Sequence, residues 1–394
     1  MIFLRRYASV NYLTSSIPKS TPVPVPKTDT LRIPRSANVP SEKVAQYIYT
    51  PKDLNDYFRD ASYSHPSAAQ ITRADSLFYN SHIKHEWTCA SFADIPDVKV
   101  DRLSMEQQMK LSSIDPYNRT EYHENLMNSK TSFGVDPRLL KPLPEVLLLG
   151  HTNAGKSTLI NSLFLNKYEA GTANAATEYA YVSKRAGYTK CLNCYNVGNK
   201  LRVIDSPGYG QFGEESQGQV VLDYIQRRKQ LRRTFMIIDS SRGIREEDAV
   251  LVEYLIDNGA SFEIIFTKVD VLVQKQFPKI NMRPDKNDID SRIKSYELAK
   301  DGNSKVVQYF REVIEKAGLR ELATLPRIIF NNSHTNKILL KRYGFRDVRF
   351  AIAESCGIVE SAPIQLEDGL INDEPKGRKG KKATRRPTVT SARV

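Results

Sequence analysis

Residues 150–158 read GHTNAGKST and fit G-x-x-x-x-G-K-[ST], the pattern of a loop whose backbone N–H groups bind phosphates. The apolar run EVLLL at residues 145–149 precedes this loop, and LINSLF, with apolar residues at helical spacing, follows it. The order predicts a buried parallel strand, the loop and then a helix. A unit of this kind restricts the chain to an α/β fold whose ligand lies at the carboxyl ends of the strands.

The whole loop is predicted to contact the phosphates of a nucleotide. Its residues are Gly150, His151, Thr152, Asn153, Ala154, Gly155, Lys156 and Ser157. Lys156 supplies positive charge to the β and γ phosphates and is a predicted catalytic residue. The Ser157 hydroxyl is a predicted ligand of Mg²⁺.

A second motif indicates which base is bound. The apolar segment FEIIF ends in Thr267, Lys268, Val269 and Asp270. The Asp270 carboxylate is suited to accept hydrogen bonds from N1–H and the exocyclic amine of guanine, and adenine has no matching pair of donors. A site built for such donors rejects an analogue that lacks them by about 10⁴–10⁵. With Lys268 along the base plane, the motif predicts binding of GTP and GDP.

A third segment, LRVIDSPGYG, places four site residues after a predicted strand: Asp205, Ser206, Pro207 and Gly208. Asp205 is predicted to orient the Mg²⁺ shell, and the Gly208 N–H to contact the γ-phosphate. Tyr209 follows, where Ras-type GTPases have a glutamine that orients the attacking water. Because a phenol cannot replace that amide, intrinsic hydrolysis is predicted to be slow.

Asn153, within the phosphate loop, has two interpretations that the sequence leaves open. In the first, its side-chain oxygen holds a monovalent cation against the phosphates, where an arginine finger would otherwise place charge. That interpretation makes Asn153 catalytic and K⁺ a cofactor. In the second, Asn153 only stabilises the turn of the loop.

Taken in order, these segments resemble the EngB/YihA-type GTPases of the TrmE–Era–EngA–EngB–septin class. The similarity covers roughly residues 141–358 and includes PEVLLLGHTNAGKSTLIN, VSKRAGYTKCLNCYNV, DSPGYG and the run that ends in FTKVD. His151-Thr152 stand where the family usually has Arg-Ser, and Arg185-Ala186 stand where it usually has Thr-Pro.

The resemblance implies further site residues and a function. Gly187 and Tyr188 would line the nucleotide, and Thr189 would be the switch threonine that ligates Mg²⁺ and takes part in catalysis. In NNSHTN, Asn332 and Ser333 would belong to the loop that caps guanine. The implied protein is a mitochondrial member of the family that hydrolyses GTP, engages rRNA and assists assembly of the large ribosomal subunit.

The expected fold is an α/β P-loop NTPase with a doubly wound, mostly parallel six-stranded sheet and helices on both faces. The strands are predicted near residues 145–149, 191–197, 201–205, 234–239, 262–267 and 326–330. We place the GTPase domain at residues 141–360, with an insertion at 274–305 that is helical over 289–300. Residues 41–140 form an N-terminal extension of unknown role with one or two short helices.

The net charge of +13 resides in the two ends of the chain. Residues 1–40 hold six basic side chains and one acidic one, residues 375–394 hold eight basic and none acidic, and residues 41–374 hold 44 of each. The first end predicts a mitochondrial transit peptide and a Pro-rich spacer, or an ordinary disordered terminus. Residues 361–394 predict a disordered basic tail that binds RNA phosphates, or a solvated end without function.

Two hypotheses for the function follow. The leading one, which the resemblance implies, is a mitochondrial GTPase that assists assembly of the large ribosomal subunit. A matrix location is expected because no apolar run reaches the eighteen residues or so of a membrane span. The alternative is a GTP-binding regulatory module that docks on the translation apparatus and hydrolyses little. The spacing of His82, His85 and Cys89 has two interpretations, ordinary packing or loop, which we favour, and a metal site.

Overall fold

A computed structural model describes residues 44–129, 131–165, 179–180, 190–210, 215–277, 280, 282, 288–319, 322 and 325–360. The predicted transit peptide, the basic tail, and Gly187, Tyr188 and Thr189 lie outside the described residues. Within the described part, no helix is long and apolar enough to cross a membrane. The same residues contain no cluster of three His, Cys, Asp or Glu side chains that could hold a metal, so the His82–Cys89 spacing forms none.

The described residues form helices and strands that alternate along most of the chain. The helices are α1 (Pro51–Tyr57), α2 (Ala68–Asn80), α3 (Pro96–Ser112), α4 (Glu121–Asn128), α5 (Lys156–Phe164), α6 (Glu215–Arg227), α7 (Glu246–Asp257), α8 (Val269–Gln276), α9 (Ile289–Lys316) and α10 (Phe345–Ser355). The strands are β1 (Ile83–Cys89), β2 (Glu145–Gly150), β3 (Leu192–Val197), β4 (Leu201–Asp205), β5 (Leu231–Asp239), β6 (Phe262–Thr267) and β7 (Ile328–Phe330).

The strands form one sheet in the order β1-β3-β4-β2-β5-β6-β7. Strands β4, β2, β5, β6 and β7 are mutually parallel, whereas β1 and β3 run antiparallel to their neighbours. The predicted α/β fold with a mostly parallel sheet is therefore confirmed. The predicted strand count of six is wrong, because the N-terminal extension contributes β1 as a seventh, edge strand.

The sequence of β1 lacks the regular alternation of apolar and polar residues that predicts a strand. It reads IKHEWTC, and its buried positions are Ile83, Trp87 and Cys89. The register against β3 shifts between His85 and Trp87, which breaks the strict alternation of apolar and polar residues. An edge strand with charged and polar side chains is also how proteins limit edge-to-edge pairing.

The sheet is covered on both faces. Along β2, Val146 and Leu148 point into one core cluster, and Leu147 and Leu149 point into the other. Helices α2, α5 and α10 contribute buried residues to the first cluster, and α1, α6, α7, α8 and α9 contribute to the second. Period-two alternation in a strand buried on both sides explains why EVLLL reads as a continuous apolar run.

Helix α9 differs from its prediction. The sequence predicts a helix over 289–300 inside a polar insertion, but α9 continues to Lys316. Its second half buries Val306, Val307, Phe310 and Ile314 in the core beside the sheet. The helix therefore starts in the predicted insertion and ends as a core element.

A buried ionic network lies at the amino end of β2. Glu145 is fully buried, and its carboxylate accepts hydrogen bonds from Arg228 at 2.6 and 2.7 Å and from the Tyr224 hydroxyl. Arg202 on β4 is 3.4 Å from the same carboxylate. These interactions join β2, β4 and the end of α6.

The N-terminal extension completes the network. Glu86 on β1 accepts from Arg202 Nε at 2.7 Å, and Asp97 on α3 accepts from Arg228 Nη1 at 2.7 and 2.8 Å. Burial lowers the pKa of Arg228, but the hydrogen bonds and charges of Glu145 and its neighbours raise it by more. The net shift of the Arg228 pKa is therefore upward. Both arginines therefore stay charged and require all three carboxylates.

The network generates a stability prediction. We expect Arg228→Met to lower the free energy of unfolding by about 3–5 kcal/mol, because Glu145 then loses its closest cation while it remains buried. The adjacent, exposed Lys229→Met removes the same charge and should change stability by less than about 0.5 kcal/mol. Urea unfolding followed by the fluorescence of Trp87, the single tryptophan, measures both variants. Equal losses would contradict the assignment.

Candidate functional site

The predicted phosphate loop connects β2 to α5 at the carboxyl edge of the sheet. Gly155 caps α5 with φ of 98°, a left-handed conformation that favours glycine, and Asn153 has φ of 66°. The Thr267 hydroxyl donates to the Ala154 carbonyl at 2.6 Å, which ties the loop to the end of β6. Contacts within the protein thus hold the loop in its turn.

Lys156, the first residue of α5, is directed back over the loop. Its ammonium donates to the Gly150 carbonyl at 2.7 Å and to the His151 carbonyl at 3.3 Å. Burial lowers the pKa of Lys156 to about 8, and the charge of Asp205 opposes part of that shift. A buried ammonium whose hydrogen-bond partners are backbone carbonyls is suited to receive an anion.

Ser157 and Asp205 meet beside Lys156. The Ser157 hydroxyl is 3.5 Å from Asp205 Oδ2, and Asp205 Oδ1 is buried with no hydrogen-bond partner among the described residues. Burial raises the pKa of Asp205 to about 6, while Lys156 and Ser157 lower it. A hydroxyl beside a buried carboxylate with an unused oxygen fits a Mg²⁺ ion, for which oxygen ligands are the preferred kind.

The segment after β4 lies against the phosphate loop. The Ser206 hydroxyl donates to the Leu148 carbonyl at 2.8 Å, and the Thr152 backbone N–H donates to the Tyr209 carbonyl at 3.0 Å. A Cβ atom on Gly208 would lie 2.8 Å from the Thr152 Cα, so only glycine permits this approach. Asp205, Ser206, Pro207 and Gly208 therefore belong to the same edge as the loop.

The Tyr209 side chain is engaged with α7 and does not take the place of a water-orienting residue. Its hydroxyl donates to the Asp248 carboxylate on α7, and its ring packs edge-on against the His151 ring with centroids 5.8 Å apart. Burial, with the nearby Asp248, raises the pKa of Tyr209 well above its usual value. The phenol thus anchors this segment to α7.

His151 is part of the same contact region. Its Nδ1 lies 2.9 Å from the Thr152 carbonyl, so that nitrogen carries the proton, and Nε2 accepts from Arg245 at 2.9 Å. His151 therefore links the phosphate loop to the start of α7.

The base motif is joined to the phosphate loop by Lys268. Its ammonium donates to the Asn153 carbonyl at 2.6 Å and to Asp239 Oδ2 at 2.8 Å. Burial alone would raise the pKa of Asp239, but hydrogen bonds from Lys268 and Ser241 outweigh it, so the net pKa is lowered. Asp239 was not among the predicted residues, although its place at the end of β5 could have indicated it.

The remaining base-motif residues begin α8. Asp270 lies in the first turn of this helix, and burial raises the pKa of its carboxyl group. Asn336 Nδ2 donates to the Asp270 carbonyl at 2.7 Å, which joins the helix to the predicted guanine-capping loop. Asn336 is a second residue that sequence reasoning did not select.

In the capping loop, the Asn332 side chain shapes the loop itself. Its Nδ2 donates to the carbonyls of His334 at 2.8 Å and Lys341 at 2.9 Å, and its Oδ1 accepts from Tyr343 N at 3.0 Å. Asn332 is fully buried. A contact of Asn332 or Ser333 with guanine stays a prediction.

A third residue outside the prediction, Asn55 on α1, fixes the strand before this loop. Its Oδ1 accepts from Phe330 N at 2.6 Å, and its Nδ2 donates to Asp347 Oδ2 at 3.1 Å. The Nδ2 also contacts the Phe330 carbonyl at 3.4 Å, so this amide occupies the open edge of β7 as a further strand would. The next residue, Asn331, pairs with Phe266 and accepts from Val269 N.

These features define a P-loop GTPase: a phosphate loop, a carboxylate beside the serine of that loop, and a T-K-V-D motif tied to the loop. Comparison with known proteins agrees. A family model described as 50S ribosome-binding GTPase matches residues 145–268. MIOREX complex component 8 of Saccharomyces cerevisiae is 32% identical over 320 residues, which are 81% of this chain and 83% of that protein.

The chain belongs to the EngB-type GTPase family. The probable GTP-binding protein EngB of Rickettsia rickettsii is 38% identical over 133 residues, 32% of this chain and 58% of that protein. A crystal structure of a probable GTP-binding protein engB shares 16% identity, covers 54% of this chain and 98% of its own, and has a TM-score of 0.32. The predicted family and the predicted GTPase class are confirmed.

The contact of Asn55 with β7 generates a prediction. We expect Asn55→Ala to increase the rate of GDP dissociation by roughly tenfold, equivalent to about 1.4 kcal/mol, because the strand that carries the capping loop loses its edge hydrogen bonds. Lys52→Ala, exposed on the same helix, should leave the rate unchanged. Stopped-flow release of a fluorescent GDP analogue measures both. Identical rates would show that Asn55 does not support the base site.

Proposed function

We propose that this protein is a GTPase of the mitochondrial matrix that hydrolyses GTP to GDP and phosphate and assists assembly of the large ribosomal subunit. The observation that carries the proposal is the Lys268 bridge, which joins the T-K-V-D motif to the phosphate loop through Asn153. The residues for a guanine base and those for the phosphates are thereby parts of one site. The family model's description as ribosome-binding supports the biological role.

Each site residue has a role in this proposal. The loop from Gly150 to Ser157 surrounds the phosphates, and Lys156 exchanges the carbonyls of Gly150 and His151 for β and γ oxygens. The phosphate charge raises the pKa of Lys156 again and keeps the ammonium protonated. Thr267 and Lys268 position the loop, and Asp270 reads guanine.

Among the described residues, Ser157 and Asp205 would hold Mg²⁺. The Ser157 hydroxyl would bind the ion directly, and the Asp205 carboxylate would orient the shell of ligands around it. The bound ion would supply positive charge to the phosphate oxygens. Thr189 is the proposed second ligand, and Gly187 and Tyr188 are proposed to line the nucleotide beside it. The Gly208 N–H would approach the γ-phosphate from the segment that packs on Thr152.

The proposed rate of hydrolysis without a partner is low. Tyr209 is engaged with Asp248 and offers no amide to orient a water molecule. Asn153 is exposed in the loop in a left-handed conformation, and its carbonyl is engaged with Lys268. The proposal keeps both roles for the side chain, holding K⁺ or stabilising the turn, and a salt experiment separates the two.

Localisation and partners rest on the ends of the chain and on the relatives. The acid-poor residues 1–40 support mitochondrial import, and the basic residues 361–394 support contact with rRNA. The similarity to MIOREX complex component 8 of yeast supports a role for this protein in a complex of the same kind. The domain at 141–360 with its insertion at 274–305, and the extension at 41–140, remain part of this proposal.

A second candidate, a regulatory module that binds GTP and hydrolyses little, is favoured by the engagement of Tyr209 with Asp248. Turnover with and without large ribosomal subunits tests the two. We expect the subunits to raise GTP turnover by about tenfold or more, since an external group would supply what Tyr209 cannot. Lys156→Ala, which removes the phosphate-binding charge, is the control for background turnover. Unchanged turnover together with GTP-dependent subunit binding would support the regulatory module.

A second prediction concerns the base. In Asp270→Asn, one of the two accepting oxygens becomes a donor, which suits xanthine and opposes guanine. We expect GTP affinity to fall by about 100-fold or more and affinity for xanthosine triphosphate to rise above that of the wild type. Competition binding with both nucleotides measures the exchange. Wild-type affinity for GTP in this variant would exclude a guanine-reading role for Asp270.

A third prediction concerns the monovalent cation. If Asn153 holds K⁺, turnover should be faster in K⁺ than in Na⁺ at equal ionic strength, and Asn153→Ala should abolish the difference. Asn153→Asp keeps an oxygen at the site and should retain part of the preference. Equal wild-type rates in the two salts would leave Asn153 as a turn-forming residue only.

A further inference from the structure

A cleft of about 380 Å³ opens at the opposite end of the sheet from the phosphate loop. One wall is β1, another is the β3–β4 hairpin, and a third is the segment before β2. Its polar lining includes His82, Lys84, Glu86, Arg138, Lys141 and Asn196. None of the described residues of the proposed nucleotide site lines this cleft.

The cleft carries a local excess of positive charge. Lys84, Arg138 and Lys141 are exposed, and none of the three forms an ion pair with a residue that the structure describes. The lining's single acidic side chain among the described residues is Glu86. The Glu86 carboxylate accepts hydrogen bonds from Arg202 Nε at 2.7 Å and from Asn196 Nδ2 at 2.6 Å, so it forms no ion pair with the three cations.

The walls of the cleft are fixed by the buried network. Arg202 donates its remaining N–H groups to the carbonyls of Lys141 at 2.9 Å and Leu139 at 3.1 Å. On the other side, Gly198 and Asn199 turn the hairpin with φ of 57° and 54°, and Gly198 N donates to the His82 carbonyl at 3.1 Å. The backbones that carry the cations are therefore ordered before a ligand arrives, which lowers the entropy cost of binding.

The chemistry of this site selects an anion. Residues 41–374 are neutral as a whole, so three unpaired cations around one concavity are a local departure from that balance. The volume lies in the range of about 300–1,000 Å³ that is typical of ligand sites, but charged and polar side chains dominate the rim. Cations from separate walls suit successive phosphates along a chain, and the Arg138 guanidinium suits a bidentate phosphate contact.

We propose that this cleft binds the phosphate backbone of RNA, with Lys84, Arg138 and Lys141 as the contacts. The proposal rests on the proposed ribosomal function and names a contact surface for it on the folded part of the chain. It acts in addition to the basic tail. Because the cleft and the phosphate loop are at opposite ends of the sheet, RNA in the cleft leaves the nucleotide site open.

The test uses the full chain and large-subunit rRNA as the probe, with affinity measured at several KCl concentrations. In the triple variant Lys84→Gln, Arg138→Gln, Lys141→Gln, we expect the slope of log affinity against log salt to become shallower by roughly 2, from three lost contacts at about 0.7 each. The matched control, Lys294→Gln, Lys300→Gln, Lys316→Gln, removes the same charge from exposed positions on α9 and should keep the wild-type slope.

A charge-conserving variant, Lys84→Arg, Arg138→Lys, Lys141→Arg, should also retain the wild-type slope, and GTP affinity and melting temperature should be the same in all four proteins. A wild-type slope in the glutamine variant, or an equal loss in the α9 control, overturns the proposal. Loss of binding to assembled subunits without any change for naked rRNA also overturns it, and indicates an acidic protein surface instead. If the wild type itself binds no rRNA, the ribosomal function fails and the cleft proposal fails with it.

Discussion

The carboxylate of Glu145 is the constraint on which much of the structure depends. It starts the strand that leads into the phosphate loop, and it is fully buried. Two arginines neutralise it, and each requires a second carboxylate from the N-terminal extension, Glu86 or Asp97. A buried network of this kind contributes little net stability when intact but costs several kcal/mol when one partner is lost. The extension is therefore chemically part of the GTPase core.

At the carboxyl edge of the sheet, two buried charged groups also lack a full set of partners among the described residues. Lys156 binds carbonyls of its own loop, and Asp205 keeps one oxygen unpaired. Burial lowers the pKa of Lys156 and raises the pKa of Asp205, so burial disfavours the charged form of both groups. A phosphate beside Lys156 and a cation beside Asp205 would relieve both. This edge of the sheet therefore suits an anion at Lys156 and a cation at Asp205.

Comparison of the sequence with the structure shows which features were predictable. That the phosphate loop, Asp205 and the T-K-V-D motif meet at one edge of the sheet could be predicted, because each motif is short and directly follows an apolar strand. Glu86 and Arg202 are 116 positions apart, and Asn55 and Phe330 are 275 apart. Polar contacts over such distances leave no local pattern. Strand β1 was missed for a related reason, because a bulge and polar edge residues conceal its alternation.

The hydrogen bonds of Asn55 have a consequence for how the chain is made. Synthesis produces α1 and β1 first, but β1 pairs with β3, and Asn55 pairs with β7, near the end of the fold. Strand β1 cannot pair until β3 has been made, and Asn55 cannot form its hydrogen bonds with Phe330 until nearly the whole fold has been made. Closure of such long loops slows folding. Asn55, on the first α-helix of the described fold, is thus secured only when β7, the last strand to be made, is available.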